Sequence, residues 1–138
     1  MGLDNMFFIR DKETHLEVDC AEVVPNCSHF MNGVNSHDIM YMRKYWGVRN
    51  KIMEYLKADE MDYVIPVAPA QIDGIIDILW KFTDKKYFED NDGSTIWEWE
   101  ETLRTLLTGI CNLKIIAEDM RSGLLDTDRY ELVFLDSY

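Results

Sequence analysis

Short β-branched and aromatic runs stand at both ends of this chain, and helical periodicity fills the space between them. Residues 3–9 (LDNMFFI) and 16–24 (LEVDCAEVV) lean to extended structure, and residues 130–135 (YELVFL) do so again at the far end. Strands separated by so much helix must find one another across the whole chain. The reading that follows is an α+β domain, with three main helices packed on a small, mainly antiparallel sheet of three or four strands.

The polar stretch Arg10, Asp11, Lys12, Glu13 predicts a turn that folds the first two runs into a hairpin. Residues 25–37 are rich in Asn, Ser, Gly and His and read as a loop. A helix is expected from about 37 to 57, capped by Asn35 or Ser36, with Tyr41, Tyr45, Val48, Ile52 and Tyr55 as its main apolar stripe. Ile39, Met42, Trp46 and Met53 form a second stripe beside it, so this helix should be covered on two sides. Residues 63–67 (YVIPV) read as a short strand that Pro66 keeps at a sheet edge. Ile72, Ile75, Ile76, Leu79 and Trp80 follow the spacing of a core-facing helix over 69–82, with Pro69 in its first turn. Residues 83–95 are polar and turn-like. Thr95 with Glu98 three positions later reads as a capping box opening a long helix, whose buried face is Trp99, Leu103, Leu106, Leu107, Ile110, Leu113 and Ala117. Ser122 and Gly123 end it.

With 138 residues the chain suits one globular domain over 1–138 and can build a core without disulfide or metal staples. Fourteen Lys and Arg against 26 Asp and Glu leave a formal charge of −12, which disfavours a general grip on nucleic-acid phosphates. No secretory pattern and no apolar run of membrane-spanning length is present, and the three cysteines are an odd count. A cytoplasmic protein with reduced thiols is expected.

His15, Cys20, Cys27, His29 and His37 crowd one segment, but their spacing lacks the paired pattern of a zinc site, so no metal is expected. His15-Leu16-Glu17 imitates half of a zinc-deaminase signature without its cysteine partner. No Walker loop, dinucleotide fingerprint or nucleophile elbow occurs, and no catalytic residue or cofactor is assigned. The clustered carboxylates in the polar turns read as solvated faces, which leaves a metal-assisted phosphodiesterase as the weakest of three functional classes.

Charge placement points elsewhere. Between His37 and Lys57, Arg43, Lys44, Arg49, Lys51 and Lys57 face only Asp38 and Glu54, so positive charge gathers on the middle helix of an acidic chain. On a helix, Arg43 and Asn50 share one face within ~20°, with Trp46 one turn from each. Guanidinium grips phosphate, indole stacks on a base, and an amide donates and accepts. The expected ligand-binding set is therefore Tyr41, Arg43, Lys44, Tyr45, Trp46, Arg49 and Asn50, with Ser94 and Thr95 as anion donors at a helix start. The same cations could instead neutralise the protein's own acids, and the same aromatics could be core.

Met1-Gly2-Leu3-Asp4, then Tyr41-x-Arg43-Lys44 leading to Asn50, then Gly93-Ser94-Thr95 before a long helix, resembles a family of small bacteriophage and prophage proteins. The order of these landmarks spans most of the chain. In that family Trp, Asn and His stand where this chain has Met42, Trp46 and Arg49, and the C-terminal strand after Asp126 falls outside the shared pattern. The resemblance implies a shared fold, a phage-like origin and a place in the host cytosol; small phage accessory proteins often act against host defences. It carries no activity with it.

Two functions fit these readings. One is a non-enzymatic protein that captures a small phosphorylated, nucleotide-like ligand in a counter-defence role, with a homodimer or higher homo-oligomer completing its site. The other is an acidic protein that inhibits a host nucleic-acid-binding or defence protein by direct contact, in the manner of a DNA mimic. No membrane partner is expected in either.

Overall fold

The computed structural model describes residues 4–32, 39–92 and 98–137. Two eight-residue strands, β1 (Asp4–Asp11) and β5 (Tyr130–Ser137), lie antiparallel along their whole length at the centre of the sheet. Their inward positions alternate as a half-buried sheet requires: Phe7 and Ile9 from β1 meet Leu132 and Phe134 from β5, and the Phe7 and Phe134 rings lie 5.0 Å apart.

The other edge of β1 is shared. Strand β2 (Glu17–Val18) pairs with its C-terminal half and β3 (Met40–Arg43) with its N-terminal half. Strand β4 (Val64–Val67) pairs with β5 and closes the opposite side. The Asp136 N–H donates to the Tyr63 carbonyl at 2.8 Å, so Ile65 and Val67 exchange the inward ladder bonds and Pro66 turns its missing donor to the free edge. Among the described residues the sheet has five strands, all pairs antiparallel, and the fold is α+β.

Five helices are described: α1 (Cys20–Val23), α2 (Trp46–Leu56), α3 (Pro69–Phe82), α4 (Lys85–Asp92) and α5 (Trp99–Arg121), with a 3-10 turn at Cys27–His29. α3 begins and ends where its periodicity predicts; Ile72, Ile75, Ile76 and Leu79 are buried while Trp80 lies exposed. α5 carries the expected apolar face and stops at Ser122, with Gly123 beyond it at φ 82°. α2 ends with Lys57 in the left-handed region at φ 55°, and the Ala58 N–H reaches back to the Met53 carbonyl at 3.0 Å, a Schellman closure made without glycine.

Three expectations fail here, each for a physical reason. From residue 39 on, the helix expected over 37–57 is a strand, a turn and a shorter helix, while its expected caps Asn35 and Ser36 lie outside the described residues: Met40 and Met42 are buried at strand period, and β3 satisfies backbone groups on β1 that would otherwise form an open edge. Lys44 turns the chain at φ 61°, and α2 starts only at Trp46. The stretch after β2 is α1, because Asp19 accepts from the Ala21 N–H at 3.0 Å and Cys20 and Val24 are buried at helical spacing. The turn-like segment over 83–95 contains α4, opened by Asp84, whose side chain accepts from the Tyr87 N–H at 3.1 Å. α5 starts at Trp99 with Glu98 as its cap residue, while Thr95 lies outside the described residues.

The segment after α1 is tied to α5 by buried polar groups seven residues apart. Asp119 accepts from the Asn26 backbone N–H at 3.0 Å and its side-chain amide at 2.6 Å. Asn112 accepts from the Met31 N–H at 2.8 Å and donates to the Met31 and Ile39 carbonyls. A loop whose Val24, Cys27 and Phe30 pack on the core is thus also held by hydrogen bonds that its own backbone would otherwise lack.

Candidate functional site

The basic segment divides into an outward part and an inward part at the β3–α2 turn. Arg43 and Lys44 are exposed, and Trp46, the first residue of α2, is 39% exposed. Tyr41 is half-buried on β3 and donates from its hydroxyl to Asp4 Oδ1 at 2.7 Å. Asn50 is exposed on α2. Since Arg43 sits on a strand, it and Asn50 do not share a helical face.

Tyr45 and Arg49 are engaged by the protein's own residues. The Tyr45 ring meets Phe88 edge-on at 5.6 Å and packs on the core. Arg49 is buried and turns toward β5, where its Nη2 donates to Asp136 Oδ2 at 2.7 Å and its Nε lies 3.1 and 3.2 Å from the two carboxylate oxygens. Its Nη1 donates to Asn50 Oδ1 at 2.8 Å. The two-pronged ion pair leaves 6% of the Arg49 side chain and none of the Asp136 side chain exposed. Asn5, opposite Asp136 in the β1–β5 register, donates its side-chain amide to Asp136 Oδ1 at 2.7 Å. Its own Oδ1 is buried and, among the described residues, without a hydrogen-bond donor. Arg49, which the sequence reading expects as a phosphate donor, is buried and paired with Asp136.

The start of α2 is fixed in a related way. Gly47 donates its backbone N–H to Asp92 Oδ1 at 2.7 Å, so a buried acid at the end of α4 caps a helix whose own cap residue has no side-chain bond. A Cβ on Gly47 would run into the Asn91 carbonyl oxygen and Asp92 Cα, which makes glycine necessary at this approach.

Other arginines follow suit: Arg10 pairs with Glu131 at 2.7 Å, Arg129 with Asp11 at 3.3 Å and Arg121 with Asp73 at 3.1 Å. Asp11 closes the β1–β2 turn by accepting from the Glu13 and Thr14 N–H groups. The Thr14 and Glu13 bonds, then Arg129, hold its carboxyl below the ordinary carboxylate range against the opposing effect of burial.

Hollows of about 290, 350 and 450 Å³ occur beside β1 and β2, at the β1–β2 turn, and near the start of α3; none of the three is lined by Tyr41, Arg43, Lys44, Tyr45, Trp46, Arg49 or Asn50. Ser94 and Thr95 lie outside the described residues, as does His37. His15 occupies a turn at φ 60°, Cys20 is in α1, and Cys27 and His29 share the 3-10 turn. Among the described residues no group of three or more His, Cys, Asp or Glu is placed to hold a metal, and no helix is long and apolar enough to cross a membrane.

Asp136, Asn5 and Asp92 are the site residues that periodicity overlooked. Asp136 continues the inward series Leu132, Phe134 on β5, and Asn5 precedes Phe7 and Ile9 on β1, so a buried polar pair was visible as two breaks in apolar alternation. No family model, curated protein or solved structure matches this chain.

Proposed function

We propose that this protein is a non-enzymatic, phage-type accessory protein that acts by direct contact with a basic, nucleic-acid-binding host protein, through its acidic surface. The observation that carries the reading is the inward use of Arg49 on Asp136, which removes the central cation from any outside ligand. Most of the carboxylates stay in water: Asp73 and Asp77 share the exposed side of α3 with Trp80, Glu89 and Asp90 stand exposed on α4, and Glu98, Glu100 and Glu101 surround the start of α5. Carboxylates so displayed steer a basic partner and compete with phosphate for its cations. The test is capture from a bacterial lysate. A nucleic-acid-binding protein retained at low ionic strength, released by high salt and displaced by added duplex DNA supports the reading; retention of nothing that duplex DNA displaces rejects it.

Capture of a small phosphorylated ligand stays as a second reading because Arg43, Lys44 and Trp46 are all exposed around one turn. Calorimetric titration with nucleotides and cyclic dinucleotides tests it. Binding that Arg43→Ala weakens supports capture, and no heat from a folded sample removes it.

A further inference from the structure

The sheet face opposite the helices is apolar in its middle and charged at both ends. Register places Tyr41, Met6, Leu135 and Val64 in one row across β3, β1, β5 and β4, and Phe8, Val133 and Pro66 in the next. Met6, Phe8, Leu135, Val64 and Pro66 stand outside the core cluster that joins the inner face to the helices, Val64 and Pro66 exposed and the other three half-buried, while Val133 between them is fully buried by its neighbours. Arg43, Asp4 and Ser137 flank these rows at one end; Glu17, Arg10 and Glu131 flank them at the other. In a molecule of net charge −12 this face is nearly neutral.

We infer that a second copy of this chain docks on this face, sheet against sheet, about a two-fold axis that runs across the strands. Such an axis keeps each strand over its own copy and reverses its direction, so the end rows exchange places. Asp4 then faces Arg10 of the other copy, Arg43 faces its Glu17, and Ser137 faces its Glu131. Met6 meets Phe8, Leu135 meets Val133, and Val64 meets Pro66. Opposite charges meet at Arg43 and Glu17, which are both exposed, and again at Asp4 and Arg10, although Arg10 also pairs with Glu131 of its own copy; a self-complementary interface repeats each meeting twice. Two copies at −12 repel over most of their surfaces, and a near-neutral apolar face is where that repulsion opposes contact least.

The face spans roughly 19 by 24 Å from strand spacing and rise, so two copies bury at most about 900 Å², below the roughly 1,000 Å² of a stable specific interface and in the range of weak, transient ones. A micromolar dimer is the expected strength. Sedimentation equilibrium on the full chain measures it, with circular dichroism confirming that each variant is folded. Arg43→Glu should weaken the dimer about tenfold, since an exposed attraction becomes a repulsion twice per dimer. Adding Glu17→Arg to that variant should restore association. Within one copy these residues lie ~20 Å apart, six strand residues along β1, so the rescue can come only from the partner. Val64→Glu, at an exposed edge position, should abolish the dimer. A wild-type chain that stays monomeric up to about 200 µM overturns the inference, since a contact of this area should show by then. So does a dimer indifferent to Val64→Glu, or a failed rescue in the double variant.

Discussion

Replacing Asp136 by Asn removes one charge from the buried pair and leaves Arg49 without its counter-ion beneath α2. The new amide also turns donors toward Arg49 and Asn5, whose side chains already donate to this position. Breaking a buried pair from one side costs about 3–5 kcal/mol, because the surviving charge stays desolvated. Taking ~4 kcal/mol and a urea m-value of about 2 kcal/mol/M, the unfolding midpoint should fall by ~2 M. Far-UV circular dichroism during urea titration reads this directly. The companion variant Arg49→Met with Asp136→Leu removes both charges and fills the space with apolar atoms, so it should lose less than Asp136→Asn alone. Its main loss is the acceptor of the Asn5 amide, worth about 1 kcal/mol. A shift below ~0.5 M for Asp136→Asn, or equal losses in the two variants, would refute the claim that Arg49 is committed to the interior.

Other consequences follow from particular residues. Because the folded-state pKa of Asp11 is depressed, its contribution is complete above the unfolded value near pH 4 and is lost as pH falls through the lower folded value; Asp11→Asn should therefore flatten the acid limb of a Tm-against-pH curve, and an unchanged limb counts against this origin. Lys57→Gly relieves a left-handed residue at the end of α2 and should raise stability by about 1 kcal/mol in the same urea titration. Asn112→Ala strips the partners from the Met31 N–H and the Ile39 carbonyl, so it should cost ~1–3 kcal/mol. Hydrogen exchange should then quicken at Met31.

How much of this was legible depended on where the side chain's partner lay. α3 could be read from its own spacing because its apolar face and its Pro69 start are local. The strand over 40–43 could not: Tyr41, Tyr45 and Val48 mimic a helical stripe, and the unpaired edge that makes a strand of Met40–Arg43 belongs to β1, more than 30 residues away. The C-terminal strand, which stood outside the family-like pattern, is the central partner of β1, so a chain sharing this fold needs an equivalent. The partner of Arg49 was hidden for the same cause. The charges from 37 to 57 form a cluster in the sequence, but the acid that pairs with one of them lies at 136, nearly ninety residues on, and Arg43, expected on a helix face with Asn50, stands on a strand.

The most direct test of the central claim is a displacement titration. A labelled DNA duplex is bound to a basic, sequence-independent DNA-binding protein, and this chain is added while fluorescence anisotropy is followed at several salt concentrations. The account predicts that anisotropy falls to the free-duplex value, and that displacement weakens as salt rises. Unchanged anisotropy at every salt concentration, with the chain folded and in excess, would contradict it.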